Sequence, residues 1–145
     1  VVPYRRWPKA SSLLHRMLRN AERVRVEEAA ALGIIDECVE RGQLLRRAIA
    51  WVDRLASGPR GIPDGPASIA ALPHGPALSG DGKPLSARVL GILEGAIATA
   101  AAAATLDSAL EIGYQAFGDS ACTAAAREGI DSFMQRRAAD FSRTG

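Results

Sequence analysis

The chain is poor in aromatic residues, cysteine and net charge, and each shortage excludes a class of protein. Aromatic residues make up 5 % of the 145 residues, so large rings cannot dominate the core. The two cysteines, Cys38 and Cys122, lie too far apart in sequence for a metal-binding motif, and we expect reduced, partly buried thiols. A net charge of +2 is too small to favour a nucleic-acid-binding protein.

The sequence also contains no long apolar run, and its start does not predict a secretory leader. Its most apolar stretch, residues 89–106, is mostly alanine and contains Glu94, so it does not predict a membrane span. Arg5, Arg6 and Lys9 are not followed by the apolar segment of a signal peptide, and we expect them to be solvated. We therefore expect a cytoplasmic protein that binds neither membrane nor nucleic acid.

The first part of the chain, residues 1–57, contains several helix patterns. Ser11 or Ser12 can cap a helix that runs to about Asn20. A second helix over 27–32 has two acids in its first turn and ends at Gly33. The alternating, β-branched residues 34–39 predict a short strand. An amphipathic helix over 43–57 follows, and its apolar stripe consists of Leu44, Leu45, Ala48, Ile49, Val52 and Leu55.

The rest of the chain divides into a loop over 58–85 and a helical part over 86–145. Six of the eight prolines and six of the fourteen glycines lie in 58–84, which predicts a loop with one helical turn at 67–71. One long helix is expected over 86–113, where glycine and alanine give a smooth face for another helix. After a break at 117–120, Ser120 or Thr123 caps the final helix.

Residues able to carry catalysis or bind a metal are scarce. His15 lies on the polar flank of the first helix and is expected to be solvated, while His74 lies in the loop without a partner at metal-ligand spacing. The segment 80–83 resembles a phosphate-binding turn but lacks its strand and helix, so we interpret it as an ordinary turn. The glutamates are interpreted as helix-end or surface charges, so we assign no catalytic residue and no metal ligand.

Two segments resemble the crotonase (enoyl-CoA hydratase/isomerase) superfamily. The run from Thr123 to Phe141 contains Ala126-Arg127-Glu128-Gly129-Ile130, then Phe133, then the basic pair Arg136-Arg137, in the order typical of that family's closing segment. The run from Asn20 to Val39, followed by a helix ending in Leu55-Ala56, is similar to an earlier scaffold stretch. Ala21 stands where the family usually has glycine, and the loop over 58–84 is an insertion relative to the simplest hydratases.

The resemblance implies a mostly α chain that forms the C-terminal helical part of a crotonase-like α/β (ββα-spiral) fold. It implies a reaction on an acyl-CoA or enoyl-CoA thioester, whose enolate two backbone N–H groups stabilise. The glycine-rich loop and the acids of that chemistry precede this segment in the family, so we expect an N-terminal companion segment. No tightly bound cofactor is implied, and coenzyme A enters as part of the substrate.

The resemblance also implies a ligand contact and an oligomer. Phe133 and Arg136 match the aromatic and basic positions that reach the nucleotide end of coenzyme A in related hydratases, and their spacing places them on one helix face. The alternative is that Phe133 packs in the core with Ile130, while Arg136 and Arg137 interact with the helix dipole. The expected assembly is a homotrimer or a dimer of trimers. A second hypothesis is a non-enzymatic all-α interaction module that pairs through its Ala/Gly-rich helix.

Overall fold

The computed structural model of the chain describes residues 1–20, 22–58, 61, 65–76, 78 and 82–144. The structure is mostly helical. Its α-helices are α1 (Val2–Arg6), α2 (Ser11–Asn20), α3 (Val26–Ala31), α4 (Leu44–Ser57), α5 (Ala87–Ala102), α6 (Leu106–Ala121) and α7 (Ala124–Met134), and short 3-10 turns lie at Pro8–Ala10 and Arg41–Gln43. Within the described ranges, strand-like pairing is limited to one antiparallel bridge between Leu78 and Pro84.

The helix over 11–20 and the end of the next helix are confirmed. α3 ends in a Schellman motif, in which Gly33 N–H donates to the carbonyl of Ala30 and Ile34 N–H donates to that of Ala29, both at 2.9 Å. Gly33 takes φ +72°, a conformation that glycine adopts without strain. The predicted strand over 34–39 is wrong, because this segment forms bends and an irregular chain. Its apolar residues follow the helix turn and find no neighbouring strand to pair with.

The predicted long helix over 86–113 is wrong in its boundaries. α5 ends at Ala102, and Thr105 starts α6 by accepting a hydrogen bond from Ser108 N–H at 3.1 Å. α6 then runs through the predicted break at 117–120 and ends at Ala121. Thr123 caps α7, as one of the two alternatives predicted, and accepts from Ala126 N–H at 3.0 Å. The predicted helical turn at 67–71 is also wrong, since these residues form no helix or turn.

The core is small and lies where α5 and α6 pack as an antiparallel pair beside α1 and α2. The side chains with least exposure are mostly alanine, so the helices approach closely; they include Leu13, Ile97, Ala100, Ala101, Ala109 and Ala116. At the start of the chain, Val1 lies against Gly113, and a Cβ added to that glycine would lie 2.6 Å from the Val1 side chain. Glycine at 113 therefore permits the N-terminal segment to cross α6.

α4 contributes almost nothing to this core. Its predicted boundaries are confirmed to within one residue, but its apolar stripe is exposed rather than buried. Leu45 is 75 % exposed and Val52 is 65 % exposed. The helix is tethered through its polar flank, where Arg47 and Trp51 donate hydrogen bonds to the Glu37 carboxylate. These bonds hold the pKa of Glu37 below its usual value.

Candidate functional site

The predicted coenzyme contact lies at the end of α7. Phe133 occupies the last turn and is 81 % exposed, so its ring is open to solvent. Arg136 lies beyond the helix and takes φ +54°, because it is the left-handed residue of a second Schellman motif. In that motif Arg136 N–H donates to the Phe133 carbonyl at 3.2 Å, and Arg137 N–H donates to the Ser132 carbonyl at 3.0 Å.

This geometry corrects the prediction that Phe133 and Arg136 share one helix face. The helix ends at Met134, so the spacing of three residues no longer corresponds to one turn at Arg136. The alternative, that Phe133 packs in the core with Ile130, is also wrong, since Ile130 is 64 % exposed. Both Phe133 and Arg136 remain accessible to a ligand, and their role in binding stays a prediction.

Arg137, in contrast, is engaged by the protein. Its Nη2 donates to the Glu128 carboxylate at 2.8 Å, and the same carboxylate accepts from Asp140 N–H at 2.8 Å. The Arg137 hydrogen bond, together with that from Asp140, lowers the pKa of Glu128 to about 2. Glu128 thereby folds the chain after α7 back along the helix, which brings Phe141 against the neighbouring helices.

An apolar groove with a cavity volume of about 450 Å³ lies between α5, α6, α7 and this returning segment. Its walls carry no charged side chain; they consist of Leu18, Leu85, Ser86, Val89, Leu90, Leu93, Phe117, Ser120, Ala121, Ala125, Ala126, Gly129 and Phe141. Ser86 caps α5 by accepting from Val89 N–H at 3.2 Å and so fixes the helix that forms one wall. We name this feature the apolar groove.

Ser120 is the polar exception in the apolar groove. Its Oγ is buried, and it has no hydrogen-bond partner among the residues that the structure describes. Ser86 Oγ, the other hydroxyl of the lining, is occupied by its cap. The sequence indicated Ser120 only as a candidate helix cap, and the apolar spacing of 89, 90 and 93 was the signal that could have indicated the groove.

A second cluster holds an irregular segment, residues 65–75, against α2. Ser11, His15 and Arg19 are spaced four residues apart, so they lie on one face of α2, and all three are buried. Ser11 Oγ accepts from Ala70 N–H at 2.8 Å, and His15 Nε2–H donates to the Ala70 carbonyl at 3.1 Å. We name this arrangement the backbone clasp.

Further hydrogen bonds extend the backbone clasp at both ends of this face of α2. Arg19 donates to the carbonyls of Pro73 and Gly75 and forms an ion pair with Glu94 at 2.8 Å. At the other end, Tyr4 O–H donates to His15 Nδ1 at 3.1 Å, since Nε2 carries the ring proton. Desolvation, with a smaller effect of Glu94, raises the pKa of Tyr4 to about 12.

Arg5 terminates α5 from outside the helix. Its guanidinium donates to the carbonyls of Ala100 at 2.9 Å and Ala103 at 3.1 Å, and also to that of Gly65. Ala100 and Ala103 lie at the C-terminal end of α5, where carbonyls lack the bonds of a continuing helix, and the positive charge suits the negative end of the helix dipole. Arg5 is 2 % exposed, so the fold places a cation where an α-helix needs one.

Several polar residues are therefore more buried than predicted. The expectation of a solvated His15 is wrong, since His15 is 2 % exposed, and the same correction applies to Arg5 in the basic start of the chain. Glu94 is not a simple surface charge, because it pairs with buried Arg19. Conversely, Cys38 and Cys122 are free thiols but exposed, so the expectation of partial burial is wrong. For Arg5, His15 and Glu94, each buried or part-buried contact is made with a partner distant in sequence.

The structure offers neither a metal cluster nor a bilayer-spanning helix within its described ranges. Three or more His, Cys, Asp or Glu side chains do not come together there in a way that could bind a metal ion. No helix in the same part of the chain combines the length and the apolar character that a membrane crossing requires.

Comparison with known proteins places the chain in no family. It matches no protein-family model, no curated protein and no solved structure. The functional argument therefore depends on the geometry above and on the two motif-bearing segments of the sequence.

Proposed function

We propose that the chain is the C-terminal helical portion of an acyl-CoA-handling enzyme of the enoyl-CoA hydratase/isomerase type. In this proposal it supplies scaffold and subunit contacts, and it contributes Phe133 and Arg136 to the binding of coenzyme A. The thioester chemistry belongs to an upstream companion segment that carries the glycine-rich loop. The assembly is a cytoplasmic homotrimer or a dimer of trimers.

The observation that carries the proposal is the exposure of Phe133 beside a basic segment. A ring that is 81 % exposed at a helix end is available to stack on adenine or to cover pantetheine. Three positions later, the Arg136 guanidinium can pair with a phosphate in a bidentate manner. Because Arg137 is occupied by Glu128, Arg136 is the member of the basic pair left for a ligand.

The exposed apolar faces support the part of the proposal that concerns subunit contacts. Leu44, Leu45 and Ile49 on α4 are each more than half exposed, and so are Phe117 on α6 and Met134 on α7. A chain of this size gains stability from covering such faces, and oligomers cover them with another subunit or segment.

Isothermal titration calorimetry of the chain with coenzyme A tests the proposed contact. We expect Arg136→Glu to weaken binding by about 10- to 100-fold, since it replaces a charge-assisted pair by repulsion. Phe133→Ala is expected to weaken binding by a smaller factor. Arg127→Glu is the matched control, because it makes the same charge change at an exposed position of α7. Equal affinities for the Arg136 and Arg127 variants would exclude Arg136 from the phosphate site.

A second candidate is a non-enzymatic all-α interaction module that pairs through α5. Gly91 and Gly95 are exposed, and a Cβ added at either position would contact nothing within 4 Å. Both glycines line an open cleft between α5 and α6. Sedimentation of a Gly91→Leu, Gly95→Leu variant distinguishes the candidates: an interaction module loses self-association while its helix content is retained. If the variant self-associates as the native chain does and also binds coenzyme A, the result favours the acyl-CoA enzyme hypothesis.

A further inference from the structure

The apolar groove has the dimensions and the lining of a site for a small apolar ligand. Its volume of about 450 Å³ lies within the range of protein pockets that enclose small molecules. Leu85, Val89, Leu90 and Leu93 form one wall, and small residues of α7 form the opposite wall. The small residues leave space along α7, so an unbranched chain fits better than a bulky ring system.

The electrostatics of the groove restrict the head group of such a ligand. None of the described residues that line the groove carries a charge, so an ionised head group buried there would lose hydration without gaining a counter-charge. Glu128, which neighbours Gly129 of the lining, is already paired with Arg137 beyond the end of α7. A neutral head group is therefore favoured over a carboxylate or an amine.

Ser120 provides the second, independent observation. A buried hydroxyl without a partner is unfavourable, and Ser120 Oγ on the groove wall has none among the described residues. Serine can occupy three staggered positions, so its hydroxyl can adopt the one that meets a ligand oxygen. A hydroxyl, an ester or an amide oxygen at the end of an aliphatic chain would satisfy it.

We propose that the apolar groove binds a neutral amphiphile, which places its aliphatic chain between α5 and α7 and its polar group on Ser120. The ligand class comprises medium-chain alcohols, esters and amides. The site does not involve Phe133 or Arg136, so an experiment can disprove this proposal without affecting the proposed coenzyme A contact, and the reverse is also true.

Methyl NMR spectra of the chain, titrated with a series of straight-chain alcohols up to 1-octanol, test this site. We expect shifts at Val89, Leu90 and Leu93, and an affinity that rises about fourfold with each added methylene. Ser120→Ala should weaken 1-octanol about fivefold, the effect of one neutral hydrogen bond, and should leave n-octane unaffected. Octanoate at pH 7 should bind more weakly than 1-octanol.

A substitution that fills the groove provides a second test of the same site. Gly129 lines the groove and has open space where a Cβ would lie, so Gly129→Leu should abolish alcohol binding while the helix content is retained. Gly118→Leu is the matched control, since Gly118 is a helical glycine with equally open space outside the groove. The proposal is overturned if the methyl shifts appear elsewhere, if Gly129→Leu binds as the Gly118 variant does, or if Ser120→Ala leaves the preference for 1-octanol over n-octane unchanged.

Discussion

At the residue scale, buried polar side chains determine how the segments of this chain are held together. Arg19 is 6 % exposed and receives its counter-charge from Glu94, while backbone carbonyls of the clasped segment accept its other hydrogen bonds. A buried guanidinium is tolerated only when each part of it is satisfied in this way. The backbone clasp therefore depends on these particular atoms rather than on apolar contact.

The Arg19–Glu94 pair should show strong coupling. Glu94→Gln is expected to lower the free energy of unfolding by about 1–2 kcal/mol, and Arg19→Ala by about 3 kcal/mol, since it also releases two carbonyls. The double variant should lose less free energy of unfolding than the two single variants lose together. We expect a coupling energy between the two residues of about 1 kcal/mol or more. Urea unfolding of the four proteins measures this cycle, and additive losses would show that the pair contributes nothing of its own.

Tyr4 gives a pH-dependent test of the same region. Its pKa is raised from 10.0 to about 12, so the folded protein retains the phenolic proton at pH values where the unfolded chain loses it. The stabilising contribution is complete below pH 10 and is lost as the pH rises towards 12. The difference in tyrosinate absorbance between the native chain and Tyr4→Phe reports this titration. A midpoint at the ordinary value would mean that Tyr4 is solvated and does not donate to His15.

At the scale of elements, the sequence predicts where helices form better than it predicts where they end or which of their faces are buried. Amphipathic periodicity located α2 and α4, and cap residues located the start of α7. The end of α5 was missed because Ala103 and Ala104 favour helix, while the group that terminates it, Arg5, is almost a hundred residues away. The helix pattern placed His15 on the polar flank of α2, but its burial depends on the segment around Ala70, which is distant in sequence.

For the candidate functional site too, the sequence indicated some of the residues but not their arrangement. The motif from Thr123 to Phe141 indicated an aromatic and a basic pair as a ligand contact, with core packing of Phe133 as the alternative, but not that the helix would end between Phe133 and Arg136. The apolar groove was not predicted, since three helices and the returning segment at Phe141 form it together. Tertiary packing of this kind leaves only a weak trace in local sequence pattern.

α4 should be dispensable for the stability of the isolated chain. Because Leu45 and Val52 are largely exposed, Leu45→Glu and Val52→Glu are expected to change the free energy of unfolding by less than about 0.5 kcal/mol. Leu13→Ala, at a position with 2 % exposure, should cost about 2–4 kcal/mol and serves as the contrast. Thermal unfolding followed by circular dichroism makes the comparison. A large loss from either glutamate would show that α4 packs against the core.

The segment after α7 should detach in acid. The pKa of Glu128 is lowered from 4.5 to about 2, so its contribution is complete above pH 4.5 and is lost as the pH falls towards 2. Glu128→Gln should produce the detached state at neutral pH, since it removes the charge that pairs with Arg137. Hydrogen exchange at the Asp140 amide measures the change. Protection of that amide in the glutamine variant equal to the native chain would contradict this role.

At the scale of the whole molecule, the structure has a small alanine-rich core and extensive exposed apolar surface. Its buried residues lie around the α5–α6 pair, while α4 and the ends of α6 and α7 present large side chains to solvent. This distribution favours a chain that is completed by other protein, either further segments or other subunits. The proposed assignment to an acyl-CoA-handling enzyme is consistent with such an arrangement.

The most direct test of that assignment is the intact mass, with N-terminal sequencing, of the protein purified from its native source. The account predicts that the polypeptide extends upstream of Val1, or is isolated with a companion chain, and that this part contains a glycine-rich loop able to form an oxyanion hole. A native protein that starts at Val1 and has no companion chain would contradict it.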